Sequence, residues 1–269
     1  MPEGRITRGT TGTNRLRRVD RWIAASPAFL SPAAPLVVDL GYGAAPWTAV
    51  ELFDRLRAAN PATSVVGIEI DPERVAAAKD AERPGLRFVR GGFEVPVPGG
   101  ATVDVIRAMN VLRQYDESEV LGAWARMTER LALTGMLVDG TCNEIGRIAS
   151  WVAIDRGGPR TFTVSLRLAE LERPGIVAER LPKILSHRNV PGEPVHELLT
   201  RLDRFWQHAA PYAEFGPVQR WRETVARLRE SGWPVESTER RVRLGELTVP
   251  WTSVAPADAP GVSSVENRK

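Results

Sequence analysis

The stretch VVDLGYGAAPWT, Val37–Thr48, decides how this chain is read. A short apolar run ends at Gly41-Tyr42-Gly43, and Pro46 stands where a helix would begin. Proline suits the first turn of a helix, where its missing N–H has no partner to lose. The stretch therefore predicts a buried strand, a glycine turn and a helix running to Ala59, stopped by Asn60-Pro61. Glycines at a strand end let the backbone approach a ligand and take conformations closed to other residues. The turn opens like a dinucleotide fingerprint, yet no third glycine follows and no Lys-Ser/Thr completes a phosphate loop. Asp39, two places before Gly41, adds a charge that would repel a pyrophosphate and favour a cationic ligand.

Working outward, SVVGIEI predicts a second strand with Glu69 at its end, where a carboxylate can accept from ribose hydroxyls. DPERVAAAKDAE predicts a helix capped by Asp71 with Pro72 in its first turn. LRFVRG, VDVIRAM and GMLVDGT predict three further strands, and DESEVLGAWARMTERLAL a helix opened by Asp116 and Glu119. Strands alternating with helices imply an α/β fold, a doubly wound, Rossmann-like, mostly parallel sheet of seven strands. Beyond Thr141 the regularity fades. GRIASWVAID predicts a helix, RTFTVSLRL a strand, VHELLTRLDRFWQHA and VQRWRETVARLRESGW two amphipathic helices, and VESTERRVRLGELTVPW two late strands.

Composition narrows the classes. With 43% hydrophobic and 26% charged residues, the 269-residue chain has an ordinary globular balance and enough length to bury a core. Cys142 is the only cysteine, so no intrachain disulfide forms and a reducing, cytoplasmic setting is expected. The N-terminus has no apolar run of the secretory kind, and nothing has the length to span a membrane. No His/Cys/Asp group has metal-ligand spacing, so no metal is expected. Lys79, Lys183 and Lys269 are the only lysines, so the net charge of +3 rests on arginine. Guanidinium suits phosphate and carboxylate, although a GC-rich genome produces the same bias.

Five stretches between Leu36 and Thr141 resemble the motifs of class I S-adenosylmethionine-dependent methyltransferases: VVDLGYGAAPWT, VVGIEIDPERVAAA, FVRGGFE, VDVIRAMNVL and ERLALTGMLVDGT. The last departs from the family at Leu133-Thr134-Gly135, and the acid common near Phe93 is missing. The resemblance implies S-adenosyl-L-methionine as cofactor, with Asp39, Gly41, Tyr42 and Gly43 around its methionyl end and Glu69 on the ribose. It places Ile70, Gly92 and Phe93 about the adenine, and Ala108 and Asn110 toward the methionyl group and acceptor. Methyl transfer from sulfonium is an in-line displacement in which charge disperses, so positioning and desolvation do most of the work.

The implied division of the chain is an arm and helix over 1–35 that would act as a lid, and a cofactor-binding core over 36–145. A helical substrate-covering lobe over 146–215, a closing helix and late strands over 216–251, and a disordered tail over 252–269 complete it. His187, in a loop-like segment, is the one histidine singled out as a base; Cys142 reads as a buried thiol. Arg15, Arg17, Arg18 and Tyr115 are the residues expected to meet the substrate. A small-molecule acceptor is the leading expectation. An RNA methyltransferase using the basic arm is the runner-up, and no NPPY-like segment follows the fourth strand. A non-catalytic S-adenosylmethionine-binding protein is a third reading, and Asp39 argues against a nucleotide-dependent oxidoreductase.

Overall fold

The computed structural model describes residues 2–6, 9 and 12–258. β1 (Leu36–Leu40), β2 (Ser64–Glu69), β3 (Leu86–Arg90), β4 (Val103–Met109) and β5 (Leu131–Cys142) lie parallel. Three antiparallel strands extend the sheet: β6 (Ile148–Asp155), β7 (Gly158–Leu166) and β8 (Glu246–Pro250). The order is β3-β2-β1-β4-β5-β6-β7-β8, so eight strands replace the seven expected among the described residues.

The helices cover both faces. On one side α1 (Arg17–Ile23), α2 (Pro27–Leu30) and α3 (Trp47–Ala59) bury Ile23, Phe29, Leu52 and Leu56 against β1, β2 and Trp151. Between β2 and β3 runs α4 (Pro72–Ala78), its first turn capped by Asp71, whose Oδ1 accepts from Glu73 N at 2.9 Å. On the other side α5 (Glu117–Thr128), α6 (Pro194–His208) and α7 (Pro217–Glu230) bury Trp124, Met127, Leu202 and Trp221. A short α8 (Glu239–Arg243) precedes β8.

Four expectations change. GRIASWVAID is β6, not a helix, so residues 148–166 belong to the sheet and not to a covering lobe. Every residue of β6 between its two ends is buried, and a run that is apolar on both faces carries no period to tell strand from helix. Of the two late strands, the first is α8. The helix expected to run to Leu133 ends at Thr128, and the strand begins at Leu131. In the segment expected to be a tail, Val254 and Ala255 are buried in the core, while 259–269 lie outside the described residues.

Strand order reverses between β1 and β4, with β2 and β3 wound one way and β5 the other. In open parallel sheets the crevice beyond the carboxyl ends at such a point is where ligands bind. That geometry places the Gly41–Gly43 turn and the residues after Met109 on one rim.

Candidate functional site

A cavity of about 520 Å³ opens at this rim, lined by Asp39, Gly41, Tyr42, Gly43, Met109 and Asn110 from the β1 and β4 ends. Gly41 and Gly43 have φ of 69° and 88°, a region that other residues enter only with strain. Gly41 N donates to Ile68 O at 2.7 Å and Gly43 N to Glu69 Oε2 at 3.1 Å, so the turn is tied to the end of β2. Asn110 sits at φ 62°, a left-handed conformation that asparagine tolerates better than most. Its Oδ1 accepts from Cys142 N at 3.0 Å and its Nδ2 donates to Cys142 Sγ at 3.3 Å, locking the β4 and β5 ends together. Cys142 is buried, as expected.

Asp39 does not stand as a bare charge. It faces Arg107 across the β1–β4 pairing, with Arg107 Nη2 at 2.7 Å from its Oδ2, and Thr48 Oγ1 donates to the same oxygen at 2.7 Å. Arg107 also pairs with Asp20 of α1, which is held from its other side by Arg55. Burial works against the Arg107 charge, but Asp20 and Asp39 outweigh it and hold its pKa above the ordinary arginine value. The argument that Asp39 attracts a cation is corrected: its charge is already balanced within the wall.

Beside the cavity runs a second groove, lined by Ile68, Glu69, Ile70, Gly92, Phe93 and Tyr115. Six of the sequence-derived candidates thus meet there: Gly41, Glu69, Ile70, Gly92, Phe93 and Tyr115. The groove retains only about 20 Å³, because Glu3, Gly4 and Arg5 lie in it. Phe93 N donates to Glu3 O at 2.9 Å and Arg5 N to the Tyr115 hydroxyl. The fit is close: a Cβ added to Gly92 would sit 1.9 Å from Glu3 O. Arg5 also stacks 4.8 Å over the Tyr115 ring. Tyr115 therefore belongs to this groove and does not line the larger cavity expected to hold an acceptor.

Other candidates go elsewhere. The Tyr42 ring packs edge-on against Phe88 at 5.2 Å and its hydroxyl donates to Arg74 O at 3.3 Å, so its side chain serves the core. Burial, with the Glu69 and Asp39 charges, raises its pKa above the usual tyrosine value. Ala108 is wholly buried and lines neither space; Met109 takes the rim position. His187 is exposed, with Nε2 3.2 Å from Lys183 Nζ, and lies in neither space. Arg17 is exposed on α1 and lines neither. Arg18 bolts α1 to β7, donating to Ser165 Oγ at 3.3 Å and Leu244 O at 3.0 Å. Burial, then neighbouring Arg21, lowers its pKa to about 10. Only Arg15 of the expected trio reaches the cavity, its Nε donating to Asn143 O at 3.0 Å.

Sequence reasoning missed Arg113, Gln114, Glu144 and Arg180, which complete the cavity rim. Arg113 and Gln114 lie just after the fourth-strand motif and were within reach of a longer reading. Arg180 ends a 3₁₀ segment, Pro174–Arg180, and no local pattern marks it. Among the described residues no group of three or more His, Cys, Asp or Glu could hold a metal ion, and no helix is long and apolar enough to cross a membrane.

No family model matches the chain, and no curated protein matches it. Among solved structures it is similar to a TehB-like SAM-dependent methyltransferase from Corynebacterium glutamicum, at 23% identity over 51% of this chain and 67% of that one, TM-score 0.36. It is also similar to human N-acetylserotonin methyltransferase in complex with SAM, at 22% identity over 49% of this chain and 36% of that one, TM-score 0.36. A third is the N-methyltransferase NodS from Bradyrhizobium japonicum, at 19% identity over 48% of this chain and 70% of that one, TM-score 0.35. The chain spans about a third of the human enzyme's length. Overlays this loose carry no functional argument.

Proposed function

We propose that the protein is an S-adenosylmethionine-dependent methyltransferase acting on a small-molecule acceptor. One observation carries the reading. At the reversal of strand order, the Gly41–Gly43 turn and the Glu69 carboxylate sit on consecutive strand ends, joined by the Gly43 N–H to Glu69 Oε2 bond. The groove of Glu69, Ile70, Gly92 and Phe93 continues directly from that turn.

The residues fit the cofactor in kind. Glu69 would accept from ribose hydroxyls, Ile70 and Phe93 would cover the base, and the left-handed glycines would leave room for the amino-acid end. When bound, the cofactor supplies a methyl group on sulfonium that a nucleophile displaces in line. The fit in space requires one change: Glu3–Arg5 must leave the groove, since only about 20 Å³ remains beside them. Asp39, paired with Arg107, would contribute wall and hydrogen-bonding capacity but no net charge. No histidine lines the cavity among the described residues, and Glu144 is the carboxylate exposed at its rim.

The test is calorimetry with S-adenosylhomocysteine and with NADH. The expected result is binding of the first alone. Glu69→Ala should weaken it by about 1–3 kcal/mol, the loss of a hydrogen bond to a charged group. NADH bound in place of S-adenosylhomocysteine overturns the reading.

A further inference from the structure

The cavity rim is built from arginines that the fold itself does not need to bring together. Arg15 precedes α1, Arg113 follows β4 and Arg180 ends the Pro174–Arg180 segment, yet all three line one cavity. Apart from Asp39, one carboxylate shares the rim among the described residues: Glu144, largely exposed, lies 3.3 Å from Arg180. Asp39 belongs to the wall, its charge matched by Arg107. Positive charge therefore exceeds negative on the rim by two.

The three differ from arginines elsewhere in the molecule. Arg107 has two carboxylates, and Arg188 has Glu117, Glu193 and Asp258. Arg113 has no hydrogen bond or ion pair among the described residues, and Arg180 Nε is buried without a hydrogen-bond partner. Desolvation, followed by the Arg180 charge, lowers the pKa of Arg113. Arg15 is held rigidly, donating to the carbonyls of Cys142 and Asn143 at the end of β5. Arginines that converge on one pocket mouth with fewer carboxylates than cations are relieved by an anion, and guanidinium binds oxyanions through paired hydrogen bonds.

We infer that Arg15, Arg113 and Arg180 form the binding site for an oxyanion, a carboxylate or a phosphate, carried by the small molecule that enters this cavity. That this molecule is the methyl acceptor rests on the function proposed above; the anion site does not. Gln114 and Asn110, on the same rim, add neutral hydrogen-bonding groups beside the charge.

Titrating the full chain with benzoate, phenyl phosphate and the neutral benzamide tests this, each alone and with S-adenosylhomocysteine. Benzoate or phenyl phosphate should bind and benzamide should not. Arg113→Gln should weaken the anion at least tenfold, while Arg204→Gln, an exposed position on α6 away from the cavity, should leave it unchanged. The tighter of the two anions assigns carboxylate or phosphate. Benzamide binding equally, no anion binding, or binding indifferent to Arg113→Gln overturns the inference. Anion binding that depends on Arg113 in a protein that ignores S-adenosylhomocysteine upholds the site and removes the methyltransferase reading; the converse result removes the site alone.

Discussion

Residues 3–5 lie where the nucleoside of the proposed cofactor would go, and that makes their removal a quantitative test. Deleting residues 2–5 should tighten S-adenosylhomocysteine, because the full chain must first vacate the groove. The magnitude follows from what seats the segment. Two hydrogen bonds enter the groove, Phe93 N to Glu3 O and Arg5 N to the Tyr115 hydroxyl. At about 1 kcal/mol each they give roughly 2 kcal/mol. Arg5 over the Tyr115 ring adds about 0.5–1 kcal/mol. The ion pairs of Arg126 with Glu3 and Arg5 with Glu119 are exposed and screened, and are left out of the sum. The contacts therefore set a ceiling of about 3 kcal/mol on the seat, and ordering three residues, at roughly 1–2 kcal/mol each, offsets much of it.

Apparent affinity scales with the fraction of molecules whose groove is open, so 3 kcal/mol caps the gain at about a hundredfold. Calorimetry should show S-adenosylhomocysteine and adenosine tightening by the same factor, more than twofold and no more than that ceiling. Gly4→Glu provides a second route. Gly4 has φ of 130°, and a Cβ there would meet the Tyr115 hydroxyl at 3.0 Å, so the segment is unseated with the groove walls intact. An affinity unchanged within twofold, or weakened, in both variants would refute the view that residues 3–5 compete with a nucleoside.

Other outcomes follow from the buried charges. Arg107→Met leaves Asp39 without a cation and Asp20 with Arg55 alone, and should cost about 3–5 kcal/mol in urea unfolding; a loss under about 1 kcal/mol would show the cluster idle. Asp139 on β5 accepts from Trp124 Nε1 at 2.9 Å, and burial pushes its pKa up to about 7. Its folded pKa lies above the unfolded value near 3.9, so the native state binds the extra proton between those limits and stability falls as pH rises through 7. Asp139→Asn should therefore gain on the parent between pH 5 and pH 8, by at most about 4 kcal/mol, and equal pH profiles would contradict it. On a rim with excess positive charge, S-adenosylhomocysteine should bind at least as well as the sulfonium form, and benzoate should shift the ratio toward the latter. A ratio indifferent to benzoate would break that link.

The parallel half of the sheet was legible because its signals are local. β1 and β2 are short, largely apolar runs, and proline or aspartate punctuation falls at the starts of α3, α4 and α5. The antiparallel half was not, because β6 is buried on both faces and offers no alternation. Glu69, Ile70, Gly92 and Phe93, read from the ends of neighbouring strands, do line one groove, because strand ends reveal themselves in sequence. Arg113 and Arg180 were not, since their proximity to Arg15 is created only when three separate segments meet. Residues 3–5 carry no pattern at all. Their place in the groove depends on the missing side chains at Gly4 and Gly92.

Asp39 and Arg107 show how a sound local inference can point the wrong way. Asp39 is the lone charge in β1 and Arg107 lies buried in β4, and each alone suggests a ligand of opposite sign. Paired in register across β1 and β4, they answer one another, and Asp20 and Arg55 extend the balance. A wall that is neutral in sum cannot select a cation by charge. Selection between a sulfonium nucleoside and a dinucleotide then falls to shape: a turn lacking the third glycine that lets a helix start pack against a pyrophosphate, with Pro46 and Trp47 in its place. What charge remains to choose a ligand lies outside that wall, on Arg15, Arg113 and Arg180, and it favours an anion.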